Sequence, residues 1–194
     1  MVASRGEDQL LSSQRRHRPR WREFRRAVVQ LRPWLVVAAF CGGLAAAAEP
    51  AYVLSGKAAP DFALRASAGD NVRLSEHRGE VVVLSFWSNR CTPCRAQLAA
   101  LNRSYQTYHS AGLQVYGVGV DDQPGLALDF ARSVGVGFPM LLDPAKSVAR
   151  SYEVDNLPMT VLIDRGGVVR YVLRDYSDPS NALYLQELRA LLNE

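Results

Sequence analysis

Two cysteines with two residues between them, Cys91-Thr92-Pro93-Cys94, are the part of this chain best equipped for chemistry. Such a pair can cycle between dithiol and disulfide when one sulfur is activated as a thiolate and the other can reach it. The surrounding residues supply both conditions. Residues 81–84 are consecutive apolar side chains, and with Phe86 and Trp87 they make a short β-rich run suited to a buried strand. After Ser88, Asn89 and Arg90 the pattern suits a helix, with Thr92 and Pro93 in its first turn, where a proline loses no needed hydrogen bond. A strand is therefore expected to deliver Cys91 to the start of a helix. Free amides and the positive end of the helix dipole there favour a thiolate, lowering a cysteine from about 8.5 to roughly 3.5–7.5. Cys91 reads as the nucleophile. Cys94, one turn further in, reads as the thiol that attacks a mixed disulfide on Cys91 and frees the reduced partner.

Other uses of a CxxC fit less well. A zinc site needs more ligands, yet the chain has no second CxxC, and His17, His77 and His109 lack ligand spacing. A structural staple closing so short a loop constrains the unfolded chain little. Two soft thiolates could carry Cu(I), but no Met or His beside the motif offers a third ligand.

The elements that must position the motif follow from the rest of the pattern. Segments 60–64 and 72–74 read as a hairpin ahead of the core, and 75–79 as a loop into the central strand. The helix opened at Cys91 continues through Leu98, Leu101, Tyr105 and Tyr108 and stops at Gly112, with the two tyrosines read as core. Residues 113–120 form the next strand, ending at Asp121-Asp122, which reads as a helix cap before Pro124. A helix at 125–134, a strand at 140–142 and a helix at 144–152 follow. Strands at 160–163 and 168–173 flank Asp164-Arg165-Gly166-Gly167, a hairpin signal. Asp178 is expected to cap a last helix whose buried stripe is Leu183, Leu185, Leu188, Leu191 and Leu192. Strand-helix alternation with a terminal hairpin and helix gives an α/β three-layer sandwich.

The net charge of +4 is unevenly placed. Residues 1–33 hold nine arginines against Glu7, Asp8 and Glu23, whereas the remainder carries fourteen Lys/Arg against sixteen Asp/Glu. Residues 33–48 contain no charge and are rich in Ala, Val and Leu. A basic flank followed by an apolar run is the layout of a secretory signal or signal anchor, not of a nucleic-acid arm. The expected organisation is a basic N-region at 1–33, a signal or anchor segment at 34–48, a linker at 49–56 and a folded domain at 57–194. Ala46-Ala47-Ala48 offers a cleavage site and the run is short for a span, while the long N-region argues for retention. Cys41 lies in the apolar run after the bulky Phe40 and makes a poor lipidation site, leaving Cys91 and Cys94 in the exported part.

Residues 59–64 (APDFAL), 79–87, Cys91-Thr92-Pro93-Cys94-Arg95 and 156–164 (NLPMTVLID) together resemble the TlpA/ResA-like thiol:disulfide oxidoreductases of the thioredoxin fold. The resemblance covers most of the chain after residue 56. It implies a thioredoxin-like sandwich with an inserted helix and strand and an N-terminal hairpin. It also implies periplasmic residence, anchored to the inner membrane or released, and no cofactor beyond the redox-active Cys91–Cys94 disulfide. Client disulfides in apocytochrome c or copper-site cysteines are the implied partners, with a membrane thiol carrier of the CcdA/DsbD type as electron donor. Leu157-Pro158 stands where such proteins place a cis-proline beside the CxxC, so Leu157, Pro158, Thr92, Pro93 and Trp87 are the expected substrate-contacting set, with Trp87 also expected to shield the disulfide.

Three positions depart from the family pattern. Arg90 replaces a tryptophan, Ser85 stands where thioredoxins carry a buried Asp, and Gln97 stands where many relatives carry a Glu. No carboxylate is then available to deprotonate Cys94. Arg90 and Arg95 reinforce the helix dipole on the Cys91 thiolate, so an intermediate potential with slow resolution by Cys94 is expected. A peroxiredoxin-like peroxidase is the alternative enzyme, although Ser88 stands where such sites want a Thr.

Overall fold

The computed structural model describes residues 52–194, so the expectations for 1–33 and 34–48 lie outside the described residues. Among the described residues no helix is long and apolar enough to cross a membrane. Seven strands form one mixed sheet: β1 (Ala63–Ala66), β2 (Asn71–Arg73), β3 (Val81–Trp87), β4 (Leu113–Gly119), β5 (Met140–Leu142), β6 (Met159–Ile163) and β7 (Val169–Leu173), in the order β2-β1-β5-β4-β3-β6-β7. The helices are α1 (Thr92–Tyr108), α2 (Pro124–Val134), α3 (Ser147–Ser151) and α4 (Asp178–Leu192). β3, β4 and β5 run parallel, and β6 returns antiparallel beside β3. The inserted strand β5 also pairs with β1, so it joins the N-terminal hairpin to the central sheet.

Period-two alternation along β3 divides the core. Val81, Val83 and Trp87 face one side with Cys94, Leu98 and Leu101 of α1, Ala127 and Ala131 of α2, and Leu188 and Leu191 of α4. Val82, Leu84 and Phe86 face the other with Val148 and Ala149 of α3, Tyr152, Phe62 and Leu74. Every residue of β3 is buried, as a strand covered on both faces requires. Three layers result, matching the expected sandwich.

Several local expectations need correction. The first hairpin strand lies at Ala63–Ala66 rather than 60–64, because Asp61 turns away to accept from the Ser75 amide and hydroxyl. Residues 74–77 form a 3-10 turn instead of a plain loop, pinned by buried Leu74. The helix expected at 144–152 shortens to Ser147–Ser151, since Lys146 adopts a left-handed φ of 54° and Asp143 caps the amides of Ser147 and Ala149 at 2.9 and 2.8 Å. Ser177, not Asp178, caps α4, its Oγ accepting from the Ser180 amide. Leu183 is exposed, and Tyr184 takes its place in the buried stripe.

The linker boundary also moves. Tyr52 donates to the Tyr152 carbonyl, Arg174 lies over its ring at 5.3 Å, and the Gly56 amide donates to Val169 at 2.7 Å. Burial pushes the Tyr52 phenol up to about 12, keeping it protonated as a donor. The packed domain therefore includes residues 52–56.

Gly119 ends β4 directly against Trp87: a Cβ there would lie 2.7 Å from Cζ2 and 3.0 Å from Cη2 of the indole. Gly119→Ala must displace a fully buried ring that packs with Cys94, so a loss of about 1–3 kcal/mol is expected in urea unfolding. A variant as stable as the parent would show that the indole is free to move.

Candidate active site

Cys91 occupies the N-cap of α1 in extended conformation (φ −87°, ψ 100°), and Thr92 and Pro93 open the helix. Cys91 and Cys94 are joined in a disulfide with Cα atoms 5.4 Å apart, and the Cys94 amide donates to the Cys91 carbonyl at 3.2 Å. Exposure is asymmetric. Cys91 is half-buried, Cys94 is fully buried, and Thr92 and Pro93 are exposed. Only one sulfur can therefore meet a macromolecular partner.

The loop between β3 and α1 is held from β4. The Ser88 hydroxyl donates to Asp121 at 2.6 Å, the Asn89 amide donates to the same carboxylate at 2.9 Å, and the Ser88 carbonyl accepts from the Cys91 amide at 3.1 Å. Asp121 is thus no helix cap. Gln123 occupies the N-cap position of α2 without a side-chain capping bond, and Asp122 pairs with Lys146 at 2.8 Å, which holds its carboxyl below the usual range through the hydrogen bond and the ammonium charge. Sequence reasoning missed Asp121 as a positioning residue because its partners lie more than thirty positions away. The commitment of Ser88 to Asp121 also occupies the hydroxyl that a peroxidase reading places beside Cys91.

Behind the buried cysteine, Ser85 and Gln97 meet as the sequence alone could not show. The Ser85 hydroxyl donates to Gln97 Oε1 at 2.9 Å, and Gln97 Nε2 donates to Thr160 Oγ1 at 2.6 Å. All three side chains are buried. A neutral chain thus fills the region where thioredoxin-like proteins keep carboxylates. Gln97 follows Cys94 by three residues on α1 and so shares its helix face.

Trp87 requires correction as a substrate contact. It is fully buried, stacks on Phe130 with centroids 4.9 Å apart and belongs to the same core cluster as Cys94, so no part of it is open to a client. Its Nε1 has no hydrogen-bond partner among the described residues, at a cost of about 1–3 kcal/mol. Arg95 is likewise engaged elsewhere. Its guanidinium lies 4.9 Å over Phe130 and donates to the Ser133 carbonyl and hydroxyl, clamping α1 to α2. Arg90 is exposed and lines a groove with Cys91.

The Leu157-Pro158 bond is cis, in the loop entering β6. Pro158 is buried, and Leu157 is half-buried in the same groove as Cys91. The Leu157 amide donates to the side chain of Asn156 at 2.9 Å. A client strand seeking that amide must first displace Asn156.

A thioredoxin-type sheet with a CxxC disulfide at the start of α1 and a cis-proline in the adjoining loop defines a thiol:disulfide oxidoreductase. The chain belongs to the AhpC/TSA family, whose model matches residues 55–172. It is similar to the thiol-disulfide oxidoreductase ResA of Geobacillus kaustophilus, 36% identical over 126 residues that span 64% of this chain and 72% of the relative. ResA of Bacillus subtilis is 34% identical, over 62% of this chain and 68% of the relative. Among solved structures, a candidate thiol:disulfide interchange protein DsbE from Chlorobium tepidum superposes with a TM-score of 0.68 at 35% identity, covering 71% of this chain and 97% of that one.

Two outcomes are expected for the reduced protein. Iodoacetamide should alkylate Cys91 with a midpoint below about pH 8, as a helix N-terminus dictates. Gln97→Glu should raise the cysteine midpoints by about one pH unit, since Ser85 and Thr160 can both donate to the new carboxylate and keep it charged. Unchanged midpoints would show that position 97 is electrostatically remote from both sulfurs.

Proposed function

We propose that this protein is exported and works in the bacterial periplasm, reducing disulfides in a restricted set of client proteins, with cytochrome c maturation or copper-oxidase assembly as its setting. The observation that carries the redox chemistry is the unequal exposure of the two sulfurs at the head of α1. The Cys91 thiolate attacks one sulfur of a client disulfide, forming a mixed disulfide and expelling the client's other cysteine as a thiolate. Cys94 then gives its proton to water or to that thiolate and attacks Cys91 Sγ. The second client thiolate leaves, and two electrons have passed to the client while the Cys91–Cys94 disulfide forms. No further redox group is needed. A membrane dithiol carrier of the CcdA/DsbD type, acting by the same exchange in reverse, returns the electrons.

Leu157 and the exposed Thr92-Pro93 pair form the surface that a client strand crosses. Export is supported by the basic N-region and the apolar run that follows it, and the setting by similarity to ResA and DsbE proteins. Neutral Gln97 and Ser85 make deprotonation of Cys94 the slow step, so the mixed disulfide should be long-lived.

Cys94→Ser is the direct test. The variant should hold its client on Cys91 as an adduct released by dithiothreitol and identifiable by mass spectrometry, whereas Cys91→Ser should hold none. Absence of any adduct from cells expressing Cys94→Ser would overturn the proposed exchange.

A further inference from the structure

The groove beside Cys91 has a charge pattern that the exchange chemistry does not require. It has a volume of about 660 Å³, room for several peptide side chains, and is floored by Val120, Val154 and Leu157. Its rim carries Arg90, Lys146 and Arg150. Lys146 is neutralised by Asp122 at 2.8 Å. The groove's own carboxylate, Asp155, is paired with Arg174 at 3.1 Å, and Asp121 is turned inward to Ser88 and Asn89. Among the described residues neither Arg90 nor Arg150 forms a salt bridge; the charge of Arg90 reaches Asp122, whose direct partner is Lys146, and the one side-chain bond of Arg150 goes to the Ala145 carbonyl. Two exposed arginines from separate elements thus line the groove that holds Cys91, on a domain whose acidic residues outnumber its basic ones. A planar guanidinium binds a carboxylate through two parallel hydrogen bonds and is worth most against a partly desolvated apolar floor.

We propose that this groove selects protein clients in which the disulfide-bonded cysteine lies in an extended segment with Asp or Glu beside it, Arg90 and Arg150 being the recognition residues. The proposal rests on the oxidoreductase reading and deepens it by naming the substrate class. The electrons follow the exchange already described, while the arginines raise the encounter rate and hold the client segment across Cys91 Sγ. An apolar floor of three side chains suits a peptide rather than a lone anion.

The test uses three disulfide-bridged peptides with one Cys-x-x-Cys core and flanks of Glu, Gln or Lys. Reduced full-length protein is mixed with each, and the second-order rate is divided by the same peptide's rate with dithiothreitol, which removes differences in intrinsic disulfide reactivity. At low ionic strength the Glu peptide should exceed the Lys peptide by about tenfold or more, with the gap closing in about 0.5 M salt. Arg90→Glu and Arg150→Glu should each shrink or reverse the ratio, and the milder Arg→Gln variants should move it toward one. A normalised ratio within about twofold, or one untouched by all four variants, overturns the proposal. It is equally overturned if glutathione disulfide outpaces the Glu peptide with the same arginine dependence, because the occupant is then a small anion. Failure to reduce even the Gln peptide would instead remove the oxidoreductase reading on which the proposal stands.

Discussion

Everything in this structure depends on a sulfur standing where a helix cap ordinarily stands. An N-cap serine or aspartate quiets the first-turn amides by accepting from them, whereas Cys91 makes no such side-chain bond while it is joined to Cys94. The unspent amides and the dipole of a seventeen-residue helix then act on whichever form of the sulfur is released. Holding that cap in place is the task of β3, buried on both faces, and of the Asp121 carboxylate, which fixes Ser88 and Asn89 from the loop just past β4. The half-buried catalytic sulfur thus sits at a junction fixed from both sides.

The core that takes in Cys94 is apolar and uncharged. Trp87 fills it with an unpaired Nε1, wedged between Phe130 and the space left by Gly119. Beside it, Ser85, Gln97 and Thr160 join in a buried chain that satisfies the amide without charge. Buried polar groups of this kind specify geometry well, because each is costly to leave unpaired. They do not serve as a base at neutral pH. None of these three side chains is a carboxylate.

The groove completes the division of labour. Its apolar floor comes from the ends of β4 and the loop before β6, and its cationic rim comes from the loop before α1 and from α3. Short α3 begins only after Lys146 turns left-handed at its N-cap, with Asp143 accepting from its first amides, and Lys146 and Arg150 line the groove that also holds Cys91. A local irregularity in the chain therefore shapes the groove beside Cys91.

Much of this was legible in the residues themselves. Apolar alternation, Pro93 in a first turn, glycines after α1 and α2, and the Asp164-Gly167 turn are local signals, and local signals fix where strands and helices lie to within a few positions. The CxxC chemistry was legible for the same reason, since a strand, a short loop and a helix start are contiguous in sequence. What only the tertiary structure decided are the long-range pairings: Asp121 with Ser88 rather than with its own helix, Gln97 with Ser85 and Thr160, Trp87 stacked on Phe130, and Tyr52 folded into the domain. A side chain's propensity states which partners it can satisfy. Which partner it meets is set by strand order and helix packing, and these bring together residues tens of positions apart that carry no mark of one another in the sequence.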